Sequence, residues 1–314
     1  MIAERFSGFR STMTDNNRRQ AFVPDGAIVI ENPVGTAPSF VVEHAGGMVI
    51  SLPGVPREMK FLMTERVVPF LREQYALGTN VIKARVLRTA GIGESALDDL
   101  IGTALLEAAN PTVGLAAHSG QVDVRIAAKA ESVESADAMI ALVEADLRRR
   151  IEPYIFGIDE DTIEVALIGA LKARDGRVAV CEAGVGDAVS RRLIASSGGA
   201  GVLARAEQYA DSDTLSGVLL QEPTQSLRSL AEQAARSIRE ETGALVGIAV
   251  VSRAGDALDR SDAEEGSAVA VATASELRSR AYGFGGSSDT AEVWTGTWAM
   301  SMAWRMLAET MDAG

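Results

Sequence analysis

Short apolar blocks separated by turn residues open the chain. Ala27-Ile28-Val29-Ile30 reads as a short buried strand. Phe40-Val41-Val42 and Met48-Val49-Ile50-Ser51-Leu52 read as two more, with Gly46-Gly47 as the turn between them. From Glu58 to Tyr75 the apolar residues recur at helical spacing, and Leu77-Gly78-Thr79-Asn80 reads as a linker. A second unit follows. Ile82 to Thr89 is a strand, and Gly91-Ile92-Gly93-Glu94-Ser95 is a turn into a helix from about Ala96 to Ala108. Asn110-Pro111 stops that helix, because proline disfavours helix at the residue before it. Val113 to Ala117 and Gln121 to Ala128 form a hairpin around Ser119-Gly120, and Ser135 to Arg150 is an amphipathic helix. The order β-α-β-β-α predicts a small α+β sandwich, ferredoxin-like or KH-like.

The third unit begins near Asp159, with Asp161-Thr162 capping a helix to Ala173. Arg177 to Cys181 is a buried strand, and a glycine-bearing turn leads to a helix from Ala188 to Ala195. Then come a strand at Val202 to Ala204, a helix at Thr224 to Thr242, and strands at Leu245 to Val251, Ser267 to Thr273 and Leu277 to Tyr282. A long apolar helix, Thr290 to Met311, closes the series, and Asp259 to Glu265 reads as an acidic loop. Strands alternating with helices predict a three-layer α/β domain.

Composition narrows the function classes. A chain of 314 residues with 47% hydrophobic content supports two or three filled cores. No apolar run approaches the ~20 residues of a membrane span. Met1 to Arg10 has no apolar core of a secretory signal. Cys181 is the single cysteine, so no internal disulfide or multi-cysteine zinc site is available, and a cytoplasmic location is expected. A net charge of −13 argues against nucleic acid as a partner. The two histidines, His44 and His118, argue against a histidine-based triad or metal cluster.

Two proline-glycine loops carry the clearest candidate chemistry. They are Asn32-Pro33-Val34-Gly35-Thr36-Ala37-Pro38 and Leu52-Pro53-Gly54-Val55-Pro56-Arg57-Glu58-Met59. Glycine permits close approach of backbone amides to an anion, and a helix start leaves N–H groups unpaired. A nucleotide cradle would use Asn32, Gly35, Thr36, Pro53 and Gly54, with Glu58 as a candidate metal ligand. The plainer reading is that Gly and Pro make turns and that Glu58 sits on an exposed first helical turn.

With Asn17-Arg18-Arg19-Gln20-Ala21, Gly91-Ile92-Gly93-Glu94-Ser95, Asn110-Pro111-Thr112-Val113-Gly114 and Val124-Arg125-Ile126 with Lys129, these loops make the chain resemble the CinA (competence/damage-inducible) family. The resemblance implies three modules. A molybdopterin-binding-like, MoaB/MogA-like α/β domain would end within 1–78. A KH-like α+β connector would occupy 79–158, and a nicotinamide-nucleotide deamidase-like α/β domain 159–314. It also implies a homodimer and a small nucleotide ligand, of the nicotinamide mononucleotide or ADP-ribose class.

Against the family pattern the first module is expected to be incomplete. The Gly-Gly-Thr-Gly-Pro-Thr loop and Asp-Asp pair expected to hold phosphate and metal do not occur in it. A divalent metal, and the ADP-ribose pyrophosphatase activity of some members, would need that segment supplied. The third module departs further. Where active members carry Glu-Ser-Cys-Thr-Gly-Gly, this chain has Glu182-Ala183-Gly184-Val185-Gly186-Asp187, with alanine in the place of the nucleophilic serine. Tyr209 is present, but Thr214 stands where the activating lysine is expected. The anion-contacting loop keeps only Ala254-Gly255, and Ser288 replaces an arginine. The reading is a protein of pyridine-nucleotide metabolism with an impaired deamidase site around Glu182, Ala183, Tyr209 and Thr214. Gly186, Ala254 and Gly255 remain as nucleotide-binding candidates. A non-catalytic nucleotide-binding or dimer-scaffold subunit is the alternative. Gly91 to Ser95 is too short for a phosphate loop and reads as a helix start. Arg85, Arg88, Arg125 and Lys129 read as a solvated face, and Cys181 as an inert core residue.

Overall fold

The computed structural model describes residues 22–35, 37–75, 80–219, 226–253, 266–283, 285 and 289–309. Two compact units divide it, Met1–Asn80 and Val81–Gly314.

In the first unit, strands β1 (Ile28–Ile30), β2 (Ser39–His44) and β3 (Gly47–Ser51) pair antiparallel in that order. The expected Gly46-Gly47 turn is corrected by one residue. His44 pairs with Gly47, so Ala45-Gly46 is the two-residue turn and Gly47 opens β3. Helices α1 (Pro56–Leu62) and α2 (Val68–Gln74) are joined by a π-helical turn, Met63–Val67. Pro69 brings no amide to the ladder, and the Val68 N–H bonds back to the Met63 carbonyl. Ile30, Val41, Leu62 and Val67 form the core beneath this sheet, flanked by Phe61, Phe70 and Leu71.

The second unit holds two sheets. The smaller has the order β5-β6-β4-β7, from β4 (Val81–Thr89), β5 (Thr112–His118), β6 (Gln121–Ala130) and β7 (Ile155–Ile158). Every pairing in it is antiparallel. The fourth strand, β7, is absent from the sequence reading. It is only four residues long and acquires its strand character by pairing with the free edge of β4. The expected helix 96–108 is also corrected. It begins at Glu94 and breaks at Gly102, whose φ of 82° no helix accepts, leaving α3 (Glu94–Ile101) and α4 (Thr103–Leu106). Helix α5 (Val133–Ile151) starts at Ser132, whose hydroxyl accepts from the Ser135 N–H. It buries Ala136, Ile140, Leu147 and Ile151 against Leu87, Val124 and Ile126 of the sheet. The β-α-β-β-α-β order is ferredoxin-like.

The larger sheet has the order β12-β11-β10-β8-β9, and β8 (Val178–Ala183) pairs parallel with both β9 (Leu203–Tyr209) and β10 (Val246–Ser252). β11 (Ser267–Ala272) and β12 (Leu277–Tyr282) add antiparallel. Helices α6 (Ile163–Lys172), α7 (Ser190–Ala195), α8 (Gly199–Val202), α9 (Ser212–Leu219), α10 (Leu227–Thr242) and α11 (Asp289–Glu309) surround it. Successive strand residues face opposite sides. Val178, Val180, Ile248 and Val250 pack toward α6 and α11. Ala179, Cys181, Ala183 and Ala249 pack toward α10. The result is three layers, α/β/α, buried on both faces as parallel strands require. Helix α9 falls in a stretch with no assigned element in the sequence reading. The acidic stretch 259–265 lies outside the described residues.

Candidate functional site

In open α/β sheets, ligands bind beyond the carboxyl ends of the strands where the strand order reverses. Here the chain runs from β8 to its neighbour β9 and then crosses to β10 on the other side, so the reversal lies at β8. Glu182 and Ala183 are the last two residues of that strand, and alternation sends their side chains to opposite faces.

Glu182 is fully buried. Its Oε1 accepts from the Val189 N–H at 2.6 Å, and Ser190 Oγ donates to its Oε2 at 2.5 Å. Burial pushes its carboxyl above the ordinary glutamate value, and the hydrogen bonds from Ser190 and Val189 oppose that rise. Both oxygens are thus spent tying the strand end to the first turn of α7. Ala183 is also fully buried, in one cluster with Leu215, Leu227 and Ala231.

Tyr209 stands opposite Ala183 in the β8–β9 register. Its hydroxyl donates to Glu207 Oε2 at 3.0 Å, and burial together with that bond pushes its pKa to about 12. The phenol therefore keeps its proton at neutral pH. Thr214 lies in the first turn of α9. Its N–H and Oγ1 both bond to Asp211 Oδ1, at 2.7 and 2.6 Å. Asp211 acts as the helix cap and is held below the usual carboxylate range by these bonds. Gly184 has a φ of 70°, and a Cβ there would lie 2.4 Å from the Ser252 carbonyl oxygen. The loop after β8 approaches the end of β10 this closely only because residue 184 is glycine. Gly186 also has a positive φ, of 68°.

In the first unit, Asn32 Nδ2 donates to Glu58 Oε2 at 2.7 Å and to the Ala37 carbonyl at 2.9 Å. A Cβ on Gly35 would lie 1.7 Å from Glu58 Oε2. Asn32, Gly35 and Glu58 therefore come together and tie one proline-glycine loop to the other. Glu58 is half-buried and bonded rather than exposed as the plainer sequence reading had it. Pro53 is half-buried and Gly54 faces open space. Glu58 offers one carboxylate already engaged by Asn32. Among the described residues no group of three or more His, Cys, Asp or Glu could hold a metal.

Residues 84–157 match the family model of the damage-inducible protein CinA KH domain. The chain is 33% identical over 260 residues to a competence-damage inducible protein of Clostridium botulinum (strain Loch Maree / Type A3), covering 81% of this chain and 63% of the relative. This chain belongs to the CinA family. It is also 34% identical over 260 residues to a competence-damage inducible protein of Moorella thermoacetica, across 81% of this chain and 62% of that one. It thus spans about three fifths of the length of these curated CinA relatives. Among solved structures, a CinA superfamily protein from Klebsiella pneumoniae 700603 aligns with 47% of this chain and 96% of its own, at 19% identity and a TM-score of 0.40.

Within this CinA-family fold, Glu182, Ala183, Gly184, Gly186 and Tyr209 gather at one strand end, with Thr214 on the adjacent helix α9. Thr36, Ala254, Gly255 and Ser288 lie outside the described residues. Two residues engaged there were not singled out for those roles. Asp211 was legible as a cap, three residues before Thr214. Ser190 gives no signal, since its bond to Glu182 depends on the loop between them. Cys181 is buried, and burial with the Glu207 and Glu182 charges pushes its thiol to about 12. Of the basic cluster, Arg85 pairs with Glu144 and Asp159, and Arg88 with Asp123. No described helix is long and apolar enough to cross a membrane.

Proposed function

We propose that this chain is a CinA-family protein of pyridine-nucleotide metabolism whose deamidase-like module, residues 159–314, has lost amide hydrolysis. The observation that carries the reading is Ala183, a fully buried methyl at the end of β8 where the family resemblance calls for a nucleophilic oxygen. Among the described residues, the neighbouring hydroxyls are engaged elsewhere. Ser190 is buried against Glu182, the Tyr209 hydroxyl is held by Glu207, and Thr214 is spent on the Asp211 cap. A threonine hydroxyl also cannot serve as the base that the missing lysine would be. Loss of a nucleophile alone costs several orders of magnitude in rate. A nucleotide ligand and a homodimer, which the family resemblance implies, are parts of the same proposal.

Incubation of the purified protein with nicotinamide mononucleotide tests it, with ammonia release as the readout. The expected rate equals the protein-free blank. Turnover at an ordinary enzyme rate, on the order of 1 s⁻¹ or above, would sink the proposal.

A further inference from the structure

The turn Gly91-Ile92-Gly93 has no role in the strand-end site, yet it walls a cavity of about 530 Å³. Opposite it stand residues of β12 and α11. The volume lies in the range of small-molecule sites. Two glycines let the walls meet. At Gly91, with a φ of 74°, a Cβ would lie 2.4 Å from Arg305 Cδ. At Gly120, with a φ of 81°, it would lie 2.4 Å from Trp298 Nε1. That indole instead donates to the Gly120 carbonyl at 3.1 Å.

One part of the wall is aromatic. Tyr282 stacks on Trp298 with ring centroids 3.9 Å apart, and Trp294 meets Trp298 edge-on at 5.3 Å. Another part is cationic. Arg280 lies over the Tyr282 ring at 5.3 Å and, among the described residues, pairs with no carboxylate. Arg278 and Arg305 share Glu309, and Arg278 also holds Glu276. Glu94 is the one carboxylate among the described lining residues, on the exposed rim, and His118 is paired to Asp123 at 2.8 Å. Among the described residues, three buried polar atoms of the wall find no hydrogen-bond partner: Gln121 Nε2, Ser301 Oγ and Arg305 Nε. Ser301 is 2% exposed. Buried polar groups are nearly always satisfied, so three orphans around one cavity mark a place for an occupant with polar atoms.

We propose that this cavity binds a small molecule joining a planar aromatic ring to an anionic group. The anion meets Arg280 and Arg305, the polar edge meets Ser301 and Gln121, and the ring packs on the aromatic wall. None of Glu182, Ala183, Tyr209 and Thr214 lines it, so it does not rest on the reading of the deamidase-like module. A mononucleotide and an aromatic carboxylate share this chemistry.

Titration of the full chain with AMP, benzoate, adenosine and inorganic phosphate separates them, followed by calorimetry and tryptophan fluorescence. AMP or benzoate is expected to bind, with adenosine and phosphate each weaker by about tenfold or more. Tighter binding of AMP assigns a mononucleotide, and tighter binding of benzoate an aromatic acid. Arg280→Ala, at an exposed position, is expected to weaken binding about tenfold. Ser301→Ala is expected to weaken it several-fold and leave the unfolding midpoint unchanged or raised. The proposal is overturned if neither AMP nor benzoate binds, if phosphate alone binds as tightly, or if both variants bind like the parent protein.

Discussion

Glu182 shows how one residue serves the fold in a place where the family resemblance suggests chemistry. Its carboxyl is buried at a strand end, and its pKa is raised because desolvation outweighs the bonds from Ser190 and Val189. A carboxyl whose folded pKa lies above its unfolded value holds its proton more tightly in the folded state. Its contribution to stability is full below the unfolded value and is lost as pH rises through the folded one. Glu182→Gln has no proton to lose. The stability difference between variant and parent is therefore expected to shift in favour of the variant as pH rises above the ordinary glutamate range. Denaturant midpoints across that rise measure it, and a constant difference would contradict the raised pKa. The residue's place before Ala183 was legible. Its bonds were not, because Val189 and Ser190 reach it through a loop with positive φ at Gly184 and Gly186.

Among the elements, those with strong internal periodicity were legible and those made by pairing were not. Helices α5 and α10 announce themselves through apolar periodicity, while their caps at Ser132 and Ser226 differ from the expected starts at Ser135 and Thr224. Strand β7 exists because β4 offers an edge, and α3 ends because Gly102 adopts a conformation forbidden to a helix. The β5–β6 hairpin carries a test of how its turn meets α11. Gly120→Ala places a side chain at a positive φ and drives a methyl into Trp298. The two effects together are expected to cost about 2–4 kcal/mol, with a shifted tryptophan emission. Gly114→Ala, in β5 with open space around the added methyl, is the control and is expected to be neutral. Equal effects of the two substitutions would rule out the contact.

At the scale of the molecule, two units have separate cores. The core of the first is drawn from Ile30, Val41, Leu62 and Val67 with their neighbours, and no described residue beyond 80 joins it. The three tryptophans of the chain, Trp294, Trp298 and Trp304, all belong to the second unit. Leu62→Ala empties a fully buried site and is expected to cost the first unit about 2–5 kcal/mol. Unfolding followed by circular dichroism should gain an earlier component, while the tryptophan fluorescence midpoint stays in place. A fluorescence midpoint that moves with it would mean the two units unfold as one.

The sequence by itself determined the family, the α/β class and most of the helices and strands. Those follow from local spacing, caps and motif order, which the chain carries along its length. The alanine at 183, where the family resemblance implies a nucleophilic serine, was likewise readable, because it is a matter of residue identity. Only the tertiary structure decided that Glu58 and Asn32 lock two loops together, and that Glu182 spends both oxygens on Ser190 and Val189. It alone brought Gly91 and Gly120 against Arg305 and Trp298, more than 170 residues away in sequence. Such contacts depend on which faces meet, and linear order carries no record of that.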